Sequence, residues 1–320
     1  MQCDRCDSEA VVDVPYSGTH LCDRHLRRSV EKRVRRRIRE DGLVGSDVTP
    51  DEPETWAIGL SGGKDSAVLT HILHRTFRTD PRVRLVAITI HEGIEGYRDE
   101  SVAACIELAE DRDLEHELVA YESEYGIRMD AVAASDREMA TCAYCGVFRR
   151  DALERTAREI GADKLLTGHN LDDEAQTAMM NFLSGDLDQM AKHFEASLGA
   201  FPDRQPQSQF VPRAKPLRDI PEREVALYAH LADVPAHITE CPHAGEAYRG
   251  EIQGLIHGLE QNHPGTRHSI MAGYERIAAV LADRRNSSAP DLDPCTRCGE
   301  PSPDDVCRKC ELLDRLTVAD

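Results

Sequence analysis

The stretch Ser61-Gly62-Gly63-Lys64-Asp65-Ser66 constrains this chain more than any other. It follows the apolar run Trp56-Ala57-Ile58-Gly59-Leu60 and leads into the helix-like Ala67-Val68-Leu69-Thr70-His71-Ile72-Leu73. A short apolar run, a glycine turn and a helix make one strand–turn–helix unit. Paired glycines let the backbone come close to a ligand, and the amides that open a helix can hold phosphate. This is not a Walker A loop, because the four-residue insert and the closing Gly-Lys-Ser/Thr are missing. Ser-Gly-Gly alone is common in ordinary strand–helix turns. All six residues at the end of a strand are not.

Strand and helix continue to alternate. Strands are expected at 56–60, 84–90, 117–120 and 164–166. Helices are expected after the loop, from Arg98, from Tyr125, over 146–160 and from Asp172. This order predicts an α/β fold with a doubly wound parallel sheet covered on both faces. Ligands then sit at the carboxyl ends of the strands, where the loop, His91 and Gly168 to Asp173 all fall. Further helices are expected at 221–232, which opens with Pro and then acids, and at 269–282. The polar segment 184–216 reads as a flexible or substrate-contacting loop, and 41–55 and 286–294 read as linkers.

At 320 residues the chain can hold one large α/β core with small appendages. No segment has the apolar length to span a bilayer, and the N-terminus lacks a charged-then-apolar signal pattern. A soluble, cytoplasmic protein that meets no membrane is expected. The net charge is −19 and arginine greatly outnumbers lysine, which suggests a high-salt cytoplasm. Such a surface repels nucleic acid except where cations are concentrated. They concentrate at Arg27, Arg28, Lys32, Arg33, Arg35, Arg36, Arg37 and Arg39, around an apolar stripe of Leu26, Val30, Val34 and Ile38. Charge runs usually form solvated faces. In a chain this acidic, a cationic helix points instead to a polyanion, namely RNA. It precedes the linker and is expected to stand outside the nucleotide core.

With no secretion signal, the eleven cysteines suggest metal sites rather than disulfides. Cys3-x2-Cys6 with Cys22-x2-His25, and Cys295-x2-Cys298 with Cys307-x2-Cys310, are two closed four-ligand sets for Zn2+. Pieces this short need the metal to fold. Cys105 reads as a buried core thiol. Cys142-Ala143-Tyr144-Cys145 is different, because its partner is the distant Cys241. Three cysteines suit a zinc completed by water, an iron–sulfur cluster with one iron lacking a protein ligand, or redox thiols; spacing leaves all three open. The expected units are a zinc finger at 1–26, a basic helix and linker at 27–55, a catalytic domain at 56–285 and a zinc ribbon at 286–320.

In order, the two terminal cysteine sets, the 61–66 loop, Cys142 to Arg150, Thr167 to Ala175 and Cys241-Pro242 resemble the archaeal and eukaryotic tRNA 2-thiouridine synthetase family. These are PP-loop ATP pyrophosphatases with an adenine nucleotide α-hydrolase-like fold, which split ATP into AMP and pyrophosphate. The resemblance spans nearly the whole chain. A sister family that thiolates a tRNA cytidine lacks the terminal zinc modules. The resemblance implies ATP phosphates on Ser61, Gly62, Gly63, Lys64, Asp65 and Ser66, and adenosine among Gly59, Leu60, Ser61, His91 and Gly168. It implies Mg2+ at Asp173, with Asp172 a rival, and a 4Fe-4S cluster on Cys142, Cys145 and Cys241. Catalytic roles fall to those cysteines, Lys64, Asp173 and Arg149.

ATP would adenylate uridine O2, and sulfur would then displace AMP at C2. The sulfur would come from the open cluster iron or, in a competing route, from a cysteine persulfide. Implied partners are tRNA, a ubiquitin-like sulfur carrier with a C-terminal thiocarboxylate, and a second copy in a homodimer. Cys145-Gly146-Val147-Phe148-Arg149-Arg150 resembles the branch acting on wobble position 34. The branch acting on T-loop position 54 carries lysine where Arg149 stands, and arginine keeps the charge without serving as a proton carrier. Two other classes share parts of this pattern. A small-molecule synthetase or amidotransferase explains the loop but not the zinc sets. A non-catalytic zinc RNA-binding protein explains the zinc sets but not the loop.

Overall fold

A computed structural model describes residues 1–135, 137–191, 209–243, 248–285 and 292–317. Strands β1 (Val12–Val14) and β2 (Thr19–Leu21) form a hairpin ahead of helix α1 (Asp23–Glu40). Then follow β3 (Glu54–Gly59), α2 (Lys64–Phe77), β4 (Val83–His91), α3 (Arg98–Glu110) and β5 (Glu115–Ala120). Two short helices, α4 (Tyr121–Tyr125) and α5 (Met129–Ala134), lead to α6 (Thr141–Glu159), β6 (Lys164–Thr167) and α7 (Leu171–Ser184). Edge strand β7 (Arg213–Ala214) precedes α8 (Glu222–Leu231), α9 (Arg249–Asn262) and α10 (Thr266–Arg285). A hairpin of β8 (Asp293–Pro294) and β9 (Pro301–Ser302) and helix α11 (Arg308–Thr317) close the described chain.

Five strands form one parallel sheet in the order β5-β4-β3-β6-β7. Side chains of β3 alternate between its two faces. Trp56 and Ile58 join one core with α1, α2 and α8, and Ala57 joins another with Tyr144 and Phe148 of α6. Burial on both sides is why this strand reads as an unbroken apolar run. Cys105 is fully buried.

Five features differ from the sequence expectation. Residues 121–134 split into two helices, and α6 starts at Thr141, which draws Cys142 and Cys145 into its first turns. Helix α9 was not anticipated. Within 184–216, residues 187–191 are helical and 213–214 form β7, while 192–208 lie outside the described residues, as do 286–291 of the second linker. Helix α1 does not stand apart from the nucleotide core. Leu26, Val30, Val34 and Ile38 are buried in the same cluster as Trp56 and Leu69. An apolar stripe must find a partner, and this one finds α8 and α2. Among the described residues, no helix is long and apolar enough to cross a membrane.

Candidate active site

Strand β3 lies between β4 and β6 in the sheet, and Gly59 pairs with Thr167. The chain leaves β3 for β4 on one side and reaches β6 only later on the other. Loops after β3 and β6 therefore part at a topological switch point and leave a crevice. A cavity of about 290 Å³ opens there. Gly59, Leu60, Ser61, Asp65 and Ser66 line it from the β3–α2 side, and Gly168 and Asp173 from the β6–α7 side. Arg149 of α6 reaches it too, as do Glu92, Arg98 and His169, which the sequence did not single out.

Two glycines make the loops possible. Gly62 has φ +83°, and a Cβ there would fall 2.3 Å from the Ser101 carbonyl oxygen. A Cβ on Gly168 would fall 2.7 Å from the Ser66 nitrogen, so the two loops touch through backbone. At Gly63 a Cβ would meet nothing nearer than 3.6 Å, so the protein's own packing does not require glycine there. The space it leaves suits a ligand. Ser66 Oγ closes the turn, accepting from the Ser61 N–H at 3.1 Å and donating to the Gly63 carbonyl at 3.0 Å. No side chain caps the start of α2, whereas Asn170 and Asp173 form a full capping box on α7. The opening amides of α2 are thus left for an anion.

Lys64 Nζ lies 2.6 Å from Glu222 and 3.1 Å from Asp65. Burial opposes its charge, but the two carboxylates hold the ammonium pKa above its usual value. Burial lifts the Asp173 pKa to about 6; the Asn170 N–H opposes this and the nearby Asp65 adds to it. Two facing carboxylates of this kind are a donor set for a hard divalent cation such as Mg2+. Asp172 turns elsewhere, accepting from the Glu222 N–H at 2.8 Å and pairing with Arg267 at 2.5 Å, and so ties α7 to α8 and α10. His91 accepts from the Gly93 N–H at Nδ1 and meets Asp99 at Nε2, both at 3.1 Å. His91, Gly62, Gly63 and Lys64 are not among the residues lining the cavity.

Cys145 is buried, Cys142 exposed and Cys241 half-buried, and none is in a disulfide. Cys142 Sγ donates to the His243 carbonyl at 3.3 Å. Burial pushes the Cys145 thiol pKa up, while Arg149, whose Nη2 donates to Sγ at 3.2 Å, pulls the other way. Arg149 Nε also donates to Glu92 at 2.9 Å. Glu92 is buried and takes a second guanidinium from Arg98, whose Nη1 donates to the Ser61 carbonyl at 2.6 Å. A continuous polar chain therefore joins Cys145 to the loop through Arg149, Glu92 and Arg98. The only sequence signal for Glu92 was its place just past the carboxyl end of a strand. The three thiols do not gather within 4.8 Å, as the two four-residue sets do. Three unbridged thiols with a guanidinium beside one suit a multi-iron cluster, which spreads its ligands wider than a single ion does.

The four-residue sets fit one ion each. Cys6 and Cys22 lie 3.7 Å apart, Cys3 Sγ is 3.4 Å from His25 Nδ1, and Cys298 and Cys307 lie 3.5 Å apart. Tetrahedral zinc with bonds of about 2.3 Å places its sulfurs roughly 3.8 Å from one another.

An uncapped helix start behind a Ser-Gly-Gly turn, at the switch point of a parallel sheet, defines an ATP-binding PP-loop fold. A family profile described as "PP-loop domain" matches residues 29–236, and one described as "2-thiouridine synthetase TtuA, N-terminal LIM domain" matches residues 2–27. The chain is 66% identical over 318 residues to the tRNA 2-thiolation protein NcsA of Haloferax volcanii, covering 99% of each. It is 34% identical to the cytoplasmic tRNA 2-thiolation protein 1 of Danio rerio, covering 99% of this chain and 88% of that one. The structure of the U34-tRNA thiolase NcsA from Methanococcus maripaludis with its 4Fe-4S cluster matches with a TM-score of 0.79 at 32% identity, over 99% of this chain and 96% of that one. The chain belongs to the PP-loop tRNA 2-thiolation family, as a tRNA sulfurtransferase.

Proposed function

We propose that this protein acts in the cytoplasm on the wobble uridine, position 34, of tRNA: ATP adenylates O2, and sulfur then displaces AMP at C2. The observation that carries this reading is the crevice shared by the phosphate loop and, through Arg149, the turn bearing Cys142 and Cys145. Likeness to the U34-tRNA thiolase supports position 34.

A uridine oxygen is a poor leaving group until it is esterified. Lys64 exchanges Glu222 for phosphate and, with the opening amides of α2, stabilises the departing pyrophosphate. Gly62 and Gly63 bring the Ser61–Ser66 backbone close to it. Gly59, Leu60, Ser61 and Gly168 bed the adenosine, with His91 at the rim. Asp65 and Asp173 would hold Mg2+, which neutralises phosphate charge. Cys142, Cys145 and Cys241 would hold the 4Fe-4S cluster, which supplies an iron free of protein ligands for inorganic sulfide. Arg149 stays cationic and contributes charge stabilisation rather than proton transfer. Zn2+ fills the sets in 1–26 and 286–320, which flank the basic helix and linker 27–55 and the catalytic unit 56–285. A ubiquitin-like carrier with a terminal thiocarboxylate donates sulfur, and the working form is a homodimer.

Mass spectrometry of tRNA nucleosides, mapped by position in a deletion strain, tests this. Loss of 2-thiouridine at 34 is expected, and Lys64→Ala or Asp65→Ala should restore neither it nor AMP formation. Loss at 54 would move the target to the T-loop, and unchanged 2-thiouridine would overturn the assignment.

A further inference from the structure

The fold divides the cations of α1 into two groups. Arg33 pairs with Glu224, Arg37 with Asp219 at 2.9 Å and Asp41 at 3.0 Å, Arg27 with Asp23 at 2.5 Å, Arg35 with Glu31 at 3.3 Å, and Arg36 with Glu40 at 3.8 Å and Asp219 at 3.9 Å. Arg33 and Arg37 fasten the helix to α8 and to the turn before it. Arg24, Arg28, Lys32 and Arg39 are exposed, and among the described residues no carboxylate pairs with them. At 3.6 residues per turn these four fall within about a quarter turn of one another, along about 22 Å of helix. Their face carries no apolar side chain, because Leu26, Val30, Val34 and Ile38 are all buried. Four adjacent cations left unneutralised stand out on a chain with a net charge of −19.

We infer that this stripe is the track for the sugar–phosphate backbone of the tRNA, an inference that rests on the tRNA-thiolation reading. Phosphate suits it better than an acidic protein does. Protein interfaces centre on apolar or aromatic side chains, which this face lacks. Regularly spaced Arg and Lys fix the register of a nucleic acid through its phosphates without reading its bases. None of the four lines the nucleotide cavity, so binding through them is separable from the chemistry.

The test uses the full chain and an unmodified tRNA transcript in a salt titration. In the variant carrying Arg24→Glu, Arg28→Glu, Lys32→Glu and Arg39→Glu, the slope of log Kd against log salt should fall by roughly three units. Its unfolding temperature should match that of the wild type. If the glutamate variant does not fold, the four glutamine substitutions should give the same loss of slope. As a control, Arg33→Gln should lower the unfolding temperature and leave the slope alone. A folded variant with the wild-type slope overturns the inference. So does one that keeps that slope but loses affinity for an acidic carrier protein, which would make the stripe a protein site. A wild-type chain that turns over ATP yet binds no tRNA at any salt overturns the thiolation reading itself, and this inference with it.

Discussion

Glu92 is 3% exposed and holds two guanidinium groups, one reaching the Ser61 carbonyl and the other Cys145 Sγ. A buried carboxylate persists only while its cations compensate it, and removing one partner of such a set costs about 3–5 kcal/mol. Glu92→Gln keeps the shape and removes the charge. Thermal unfolding should show that loss, and thiolation turnover should fall at least about tenfold as Arg149 loses its anchor. Full turnover in a folded Glu92→Gln protein would mean that Arg149 needs no positioning. Beyond its place just past a strand end, nothing in the local sequence pointed to Glu92, because its partners Arg98 and Arg149 are assembled by the fold. Glu222, 158 residues from Lys64, was hidden for the same reason.

Among the elements, α2 shows where local pattern and tertiary contact part. Its His71 is buried edge-on to Tyr228 of α8, and Arg112 Nη2 lies 2.9 Å from Nδ1. Burial, with Arg112 and Arg75 adding, lowers its pKa from 6.5 to about 4. Between those values the unfolded chain takes up a proton that the folded one refuses. Stability is therefore complete above pH 6.5 and declines as pH falls toward 4, by about 2 kcal/mol from this group. His71→Leu should flatten that part of a denaturant-derived stability curve; an undiminished slope would assign it to other groups. The central strands and the helix after the loop were legible because burial wrote them as apolar runs. Helix α9 was not, because Gly250, Gly254 and Gly258 weaken its propensity. It forms because Ile252 and Ile256 pack against α7. The loop and the four-ligand metal sets were legible because their chemistry fixes spacing. That Arg24, Arg28, Lys32 and Arg39 stay unpaired on the outward face of α1, beside the paired Arg35, needed the ion pairs that the fold assembles.

For the whole molecule, metal and core are one problem. The hairpin beside the Cys3, Cys6, Cys22 and His25 set contributes Val12, Val14 and Leu21 to the cluster that also holds Trp56. Anaerobically prepared protein should hold two zinc ions per chain, one for each set, together with iron. Elemental analysis of Cys142→Ala, Cys145→Ala and Cys241→Ala should show iron lost and zinc kept. Cys3→Ala should lose one zinc and lower the unfolding temperature of the entire chain. Full thiolation without iron after reconstitution would favour a cysteine persulfide as the sulfur source.

The segment that carries Cys241 does not merely approach the phosphate loop. His237 donates its backbone N–H to the Gly62 carbonyl at 2.8 Å, and Gly63 and His237 form a parallel bridge. One backbone therefore answers to both ends of the reaction, and thermodynamic reciprocity applies to it. Whatever factor bound nucleotide imposes on the affinity of the three-cysteine site for iron, loading that site must impose on nucleotide. Calorimetric titration of a non-hydrolysable ATP analogue into iron-loaded and iron-free protein should give two different constants. Their ratio would express, as a free energy, how strongly the activation of a uridine is held in step with the readiness of its sulfur.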